Sequence, residues 1–412
     1  LIRQRIGVPI ELKRVADIDI QRNRGVTLPD GVLTKDTVSL LHDPDIDIII
    51  ELIGGIEPAR SFILDAIKNR KHVVTANKAL LSEHGHDLFR TAVHAGVDLA
   101  FEASVCGSIP IIRAVQEGFS ADRIKSFLGI FNGTANYILS RMTSEGAAFE
   151  EALRDAQKKG FAEADPTLDI EGIDTLHKLC VLLSLAFGKR VHPRHIYTEG
   201  ISKITPLDIE FSRELGYKIK LLAICRKSGN QVDARVHPTL IPEQHMLSRV
   251  EGTFNAVFVE TEDAGPAMFY GRGAGMMPTA SAVVADVISL ARNITKGISQ
   301  RIPLFSSEAA ILQPIRIRPF KEIISRYYMR FSAVDKPGVL SKISGVLGRN
   351  HISIHSVVQK GRQTRGGSVP IFMLTHEARE ADMQKALAQL DRLSLLRQKT
   401  MVIRIEDALP DA

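Results

Sequence analysis

From residue 10 to about 105, short apolar runs alternate with stretches of helical period: "IELKRVADI", "IDIIIELI", "ARSFILDAIKN", "HVVTAN", "LFRTAVHAG" and "VDLAFEAS". The strand-type runs are nearly all apolar rather than alternating. This predicts parallel strands covered on both faces, in a doubly wound α/β sheet. The tips "GGIEP", "ANKAL" and "SVCGSIP" follow strands, where such sheets bind ligands. The opening "LIRQRIGVPIELKRVADIDI" reads as a helix end, a turn and an inner strand.

Between 106 and 278 the pattern shifts to longer helices and then to strands. "YKIKLLAICRKSGNQVDARVHPTLI" predicts two strands around Ser228-Gly229-Asn230, and "NAVFVET" and "AMFYGRG" add more, giving a mixed α+β domain suited to substrate and to subunit pairing. The helical stretch from 279, extending to 299, is expected to complete the first domain, 1–105. Residues 300–325 carry Pro without a sustained period and read as a linker. The tail, 326–408, predicts a βαββαβ set of ferredoxin-like type. Its first strand places Tyr327, Met329 and Phe331 on one side, and its first helix opens at Pro337.

Composition narrows the classes. With 6% aromatics, no Trp and a net charge of +6 spread without a basic run, nucleic acid is not an expected partner. No apolar run approaches the ~18 residues of a membrane span. Cys106, Cys180 and Cys225 are far apart and lack metal-ligand spacing, which suits a reduced cytoplasm.

The densest chemistry lies in "AQKKGFAEADPTLDIEGIDTLHK". Asp174 and Lys178, four apart, share a helix face, and Glu163 precedes them in a loop. Spacing alone favours an ordinary surface ion pair over a catalytic one; what shifts the weight is the surrounding sequence. Ala156, Gly160, Asp165, Pro166, Asp169, Gly172, Asp174 and Lys178 together resemble the signature of homoserine dehydrogenases. "ELIGGIEPAR", "HVVTANKALL", "FEASVCGSIPIIR", "GIFNGTANYIL", "EGISKIT" and "GRGAGMMPTASAVV" resemble the same family in the same order.

That resemblance implies a Rossmann-like cofactor domain and NADPH- or NADH-dependent reduction of aspartate 4-semialdehyde to homoserine. It implies Lys178 as the cation or proton donor at the developing alkoxide, Asp174 holding that ammonium and the substrate, Glu163 at the substrate's amino group, and Lys78 in positioning or proton transfer. Cofactor contacts would come from Ile53, Thr75, Lys78 and Gly275. A monovalent cation, sodium, would be held by backbone oxygens of Glu102, Val105, Gly107 and Ile109; the same loop also reads as a plain tight turn.

The family's opening strand and GxGxxG helix do not precede the first strand, and about 30 residues of a βα unit are expected to be missing, with weak cofactor binding as the consequence. Asp17 and Asp19 follow the next strand, where ribose is read. Arg22 or Arg24 could accept a 2′-phosphate, leaning to NADP. The tail from "DKPGVL" resembles an ACT domain, which implies an amino-acid effector, threonine first, near Asp335, Gly338 and Asn350. A homodimer or homotetramer is expected. The alternative is a catalytically impaired amino-acid-binding regulator, against which the retained Glu163, Asp174, Lys178 and Lys78 argue.

Overall fold

The computed structural model describes residues 2–303, 313–359, 361 and 367–407. The chain falls into two units: Leu1–Ala121 with His177–Pro193 and Arg272–Ile315, and Asp122–Leu176 with Arg194–Gly271 and Arg316–Ala412.

In the first unit, Ile48–Glu51, His72–Thr75 and Leu99–Ala100 form a three-stranded parallel sheet in chain order. The crossover helices Ala59–Lys68 and Lys78–Ala95 bury Ile63, Ala66 and Ile67, and Leu80, Leu88 and Phe89. Helix Met276–Thr295 sets Val283, Val287 and Leu290 against Val74, with Ile48 and Ala100 packed alongside. Its apolar face therefore covers the sheet.

The opening strand departs from expectation. The paired strand here is only Val15–Ala16, joined in parallel to Leu33–Thr34 in a separate two-stranded sheet. Ile10, Leu12 and Ile20 are exposed, and Ile18 is 91% exposed. An apolar run becomes an inner strand only where partners flank it on both sides and both faces are covered.

In the second unit one sheet runs through Pro266–Arg272, Phe254–Thr261, Ile124–Ile130, Tyr217–Ser228, Gln231–Pro242, Met401–Ile405, Ile324–Val334, Ser368–Thr375 and Ile354–Gln359. The long hairpin closes with Ser228 opposite Gln231, leaving Gly229-Asn230 as a two-residue turn, with Gly229 at φ +58. The tail's four long strands have the ferredoxin-like order 4-1-3-2, antiparallel throughout.

Tyr327, Met329 and Phe331 enter one core with Ile343, Leu347, Met383 and Leu390. Tyr328, on the opposite face, is equally buried and donates its hydroxyl to Asp208. The helix begins at Val339 rather than Pro337, because Gly338 is left-handed at φ +85.

The tail is not an appended bead. Met401–Ile405 pairs in parallel with Gln231–Pro242, Arg404 lying opposite Thr239. The stretch expected as a linker is packed where it is described: Arg316 and Arg318 bond to Val232, and Phe320 stacks on Tyr197 at 3.5 Å between ring centroids. Residues 304–312 of that stretch lie outside the described residues. No described helix is long and apolar enough to cross a membrane.

Candidate active site

The carboxyl ends of the parallel strands are stitched into one surface. The buried Glu51 carboxylate accepts from the Ile53 and Gly54 N–H groups at 2.7 and 3.1 Å, and from the Thr75 hydroxyl at 2.6 Å. Thr75 in turn accepts from Asn77 N–H. Asn77 caps helix Lys78–Ala95 through Leu80 N–H at 3.1 Å and donates to Gly55 O at 2.8 Å.

Lys78 is thus the first residue of a fixed helix, and the Thr75 hydroxyl is turned inward. Gly54 and Gly55 hold φ +80 and +69 with open space beside them, and Ile53 is 57% exposed. An open, partly apolar ledge at the carboxyl ends of parallel strands fits a dinucleotide. Gly275, at φ +119, is the N-cap of helix Met276–Thr295. In the loop after Val15–Ala16, Arg24 is tied to Asp17 at 2.8 Å and holds that carboxyl below its usual range. Asp19 accepts from the Gln21 and Arg22 N–H groups, and the Arg22 side chain is exposed.

The Glu102–Ile109 turn is built around consecutive left-handed residues, Cys106 and Gly107, both at φ +54. A Cβ on Gly107 would lie 2.6 Å from Gly273 O, so this turn and the glycine loop touch backbone to backbone. The Glu102 carboxylate points inward, accepting from the Ile112 and Arg113 N–H groups at 2.9 and 3.1 Å. Burial pushes it up to about 7, and burial likewise raises its neighbour Asp286, which Arg113 reaches at 2.6 Å. What Glu102 can offer a cation is therefore its backbone oxygen. That oxygen accepts from Val105 N–H at 3.4 Å, and Ile109 O accepts from Ile111 N–H at 2.8 Å. Each carbonyl retains a second lone pair, so an all-oxygen set fits a hard monovalent ion.

In the second unit the first turn of helix Gly133–Glu145 organises the signature segment. Asn132 caps it, accepting from Ala135 N–H at 2.7 Å while donating to Asp169 and Asp174 at 2.7 and 2.9 Å. Thr134 donates to Phe161 O at 2.6 Å, and Gln157 donates to Glu163 O at 3.2 Å, fixing the loop from which the exposed Glu163 projects.

Asp174 and Lys178 lie one turn apart on helix Ile173–Phe187, as the spacing predicted. They are only 6% and 7% exposed, which removes the reading of an ordinary surface pair. Sequence reasoning missed Glu51, Asn77 and Asn132. The Asn at an apparent helix start in "FNGT" and the Asn in "ANK" were the available signals.

The three residues expected at the effector pocket are not brought together within one chain. Asp335 and Gly338 sit before helix Val339–Arg349, whereas Asn350 follows it, about 16 Å away for 11 residues at about 1.5 Å each. Asn350 is also committed to Val346 O at 2.9 Å and to Gln389 at 3.3 Å.

Residues 1–102 match the family model described as homoserine dehydrogenase, NAD binding domain; 110–288 match homoserine dehydrogenase; and 327–394 match the ACT domain. A homoserine dehydrogenase of Neisseria gonorrhoeae is 43% identical over 407 residues, covering 98% of this chain and 93% of the relative. The crystal structure of a homoserine dehydrogenase from Thiobacillus denitrificans superposes with a TM-score of 0.91 at 44% identity, over 98% of this chain and 92% of that one. A hyperthermophilic archaeal homoserine dehydrogenase solved in complex with NADPH is 25% identical with a TM-score of 0.55, over 64% of this chain and 77% of that one. With these matches running the length of the fold and through the buried Asp174–Lys178 helix, the chain belongs to the homoserine dehydrogenase family, as an NAD(P)-dependent oxidoreductase with an NAD-binding domain and a C-terminal ACT domain.

Proposed function

We propose that the reduction of L-aspartate 4-semialdehyde to L-homoserine is carried by Lys178, Asp174, Glu163 and Lys78. The nicotinamide cofactor, when bound, supplies a hydride to the aldehyde carbon. Lys178 then gives a proton to the resulting alkoxide, and its charge opposes the negative oxygen in a place shielded from water. Asp174 orients that ammonium and, with Glu163, receives the substrate's amino group. Lys78, fixed at its helix start by the Asn77 cap, positions cofactor and substrate. The carrying observation is the burial of Asp174 and Lys178 on one helix face, where unneeded charges would be costly.

Ile53, Thr75, Lys78 and Gly275 form our cofactor set. The exposed Arg22, with Arg24 held by Asp17, favours a 2′-phosphate and hence NADP, in line with the NADPH complex of the archaeal relative. Sodium is the ion we assign to the backbone oxygens of Glu102, Val105, Gly107 and Ile109. Threonine is the effector we assign to the Asp335–Gly338 turn. A homodimer or homotetramer is supported by the edge strand Ile354–Gln359, whose Val357 and Val358 are exposed.

The test is Lys178→Ala, assayed by NADPH oxidation with aspartate semialdehyde. The kcat is expected to fall by about 10²–10⁴, the usual span of a lost general acid, with NADPH affinity within about twofold. A near-normal kcat would move the proton to another donor, Lys78 first.

A further inference from the structure

Asn132 lies outside the set of residues assigned above, yet every polar atom of its side chain is engaged. Its Oδ1 accepts from Ala135 N–H at 2.7 Å, which dictates how the amide faces, because an N–H donor cannot meet the nitrogen. The nitrogen is then turned toward two carboxylates, Asp169 Oδ1 at 2.7 Å and Asp174 Oδ2 at 2.9 Å. Two hydrogens meet two acceptors, in a buried side chain.

The backbone beneath is equally constrained. A Cβ on Gly133 would lie 2.7 Å from Thr253 O, and Asn255 donates to Phe131 O at 2.7 Å. The amide therefore sits at a fixed point from which to hold a carboxylate.

Helix capping alone does not call for this residue. Ser and Asp cap an N-terminus about as well as Asn. Only Asn combines one acceptor for the helix with two donors for carboxylates at this length: Asp has no donor when ionised, and Ser has a single short one.

We infer that Asn132 is a positioning residue of the reductase, holding the Asp174 carboxylate by Oδ2 and tying it to Asp169. The inference rests on the reading of Asp174 as the carboxylate that meets the substrate. Asn132 acts through Asp174 and touches neither substrate nor cofactor.

Five proteins test it: wild type, Asn132→Ser, Asn132→Asp, Asp174→Asn and the Asn132→Ser/Asp174→Asn double variant, each measured for kcat and KM in homoserine oxidation, for NADPH affinity and for Tm. Asn132→Ser is expected to lower kcat/KM about tenfold or more, the size of a lost charge-assisted hydrogen bond, mainly by raising KM, with NADPH affinity unchanged and Tm lowered by no more than about 5 °C. Placed in the Asp174→Asn background it should change kcat/KM less than about twofold, because the residue it serves is already altered. Asn132→Asp, which keeps the cap, should lose at least as much as Asn132→Ser.

Wild-type kcat/KM in Asn132→Ser, or an equal loss in both backgrounds, would reduce Asn132 to a helix cap and overturn the inference. Wild-type kcat/KM in Asp174→Asn would instead sink the reading of Asp174, a distinguishable failure.

Discussion

Arg330 grips Asp208 with two parallel hydrogen bonds, Nε to Oδ1 at 2.7 Å and Nη2 to Oδ2 at 3.1 Å. Asp208 belongs to helix Pro206–Glu214 and also accepts from the Thr205 N–H and hydroxyl at 2.9 and 2.7 Å. A strand of the ACT domain is thereby bolted to the start of a helix outside it. Arg330→Met strands a fully buried carboxylate, and with the guanidinium only 11% exposed little is lost to solvent screening. A destabilisation of about 3 kcal/mol is expected, read by urea titration, with partial recovery on adding Asp208→Asn. An unchanged midpoint for Arg330→Met would mean the pair contributes nothing net.

Gly107→Ala is expected to be damaging for two separate reasons. Its φ of +54 disfavours any Cβ, and that Cβ would meet Gly273 O at 2.6 Å and Arg272 O at 3.0 Å, both backbone atoms. Opening that contact should cost at least about 2 kcal/mol and displace the turn that carries the proposed cation oxygens. Thermal melting with and without sodium chloride, against potassium and choline salts, reads both effects. Wild-type melting would show that the two loops separate at no cost.

Lys220 predicts a pH dependence with a definite sign. It is buried, donates to Asn136 Oδ1 at 3.1 Å and Val250 O at 2.5 Å, and burial pushes it down to about 7, with Lys218 adding to the shift and Glu251 opposing it. Above about pH 7 the folded state releases this proton while the unfolded chain keeps it up to its ordinary value of 10.5. The unfolded state then binds more protons, so stability rises with pH across that window and the full penalty is present below it, on the order of 5 kcal/mol at most. Lys220→Met removes the buried ammonium and with it this pH dependence. Its Tm relative to wild type should therefore be higher at pH 6 than at pH 9; a difference independent of pH would refute the assignment.

Threonine control is best tested by substitution rather than by removing the tail. Arg235 is buried against Glu406 at 3.0 Å, and Arg404 reaches Glu199 at 2.6 Å, so deleting residues 320–412 would strip the central sheet of partners it needs. Asp335→Ala, with kcat unchanged, is expected to raise the threonine concentration for half-inhibition about tenfold or more, within the usual range of allosteric coupling. Unaltered sensitivity would place the effector elsewhere.

The sequence by itself determined the elements whose signal is local. The apolar runs at 48–51 and 72–75, the period of helix Met276–Thr295 and the Asp174–Lys178 spacing all follow from chain geometry repeated every two or 3.6 residues; the turn near Gly229 follows from its residue types, although Ser228 proved to belong to the strand. Tertiary structure decided what depends on residues far apart. It confined the first strand to Val15–Ala16, fused the tail to Gln231–Pro242, and set Gly107 against Gly273. It also joined Asn132 to Asp169 and Asp174, 37 and 42 positions away. Periodicity states which face of an element is apolar but not which other element will cover it; that choice is made by packing and by the need to pair every buried polar group, and both exist only once the chain has closed on itself.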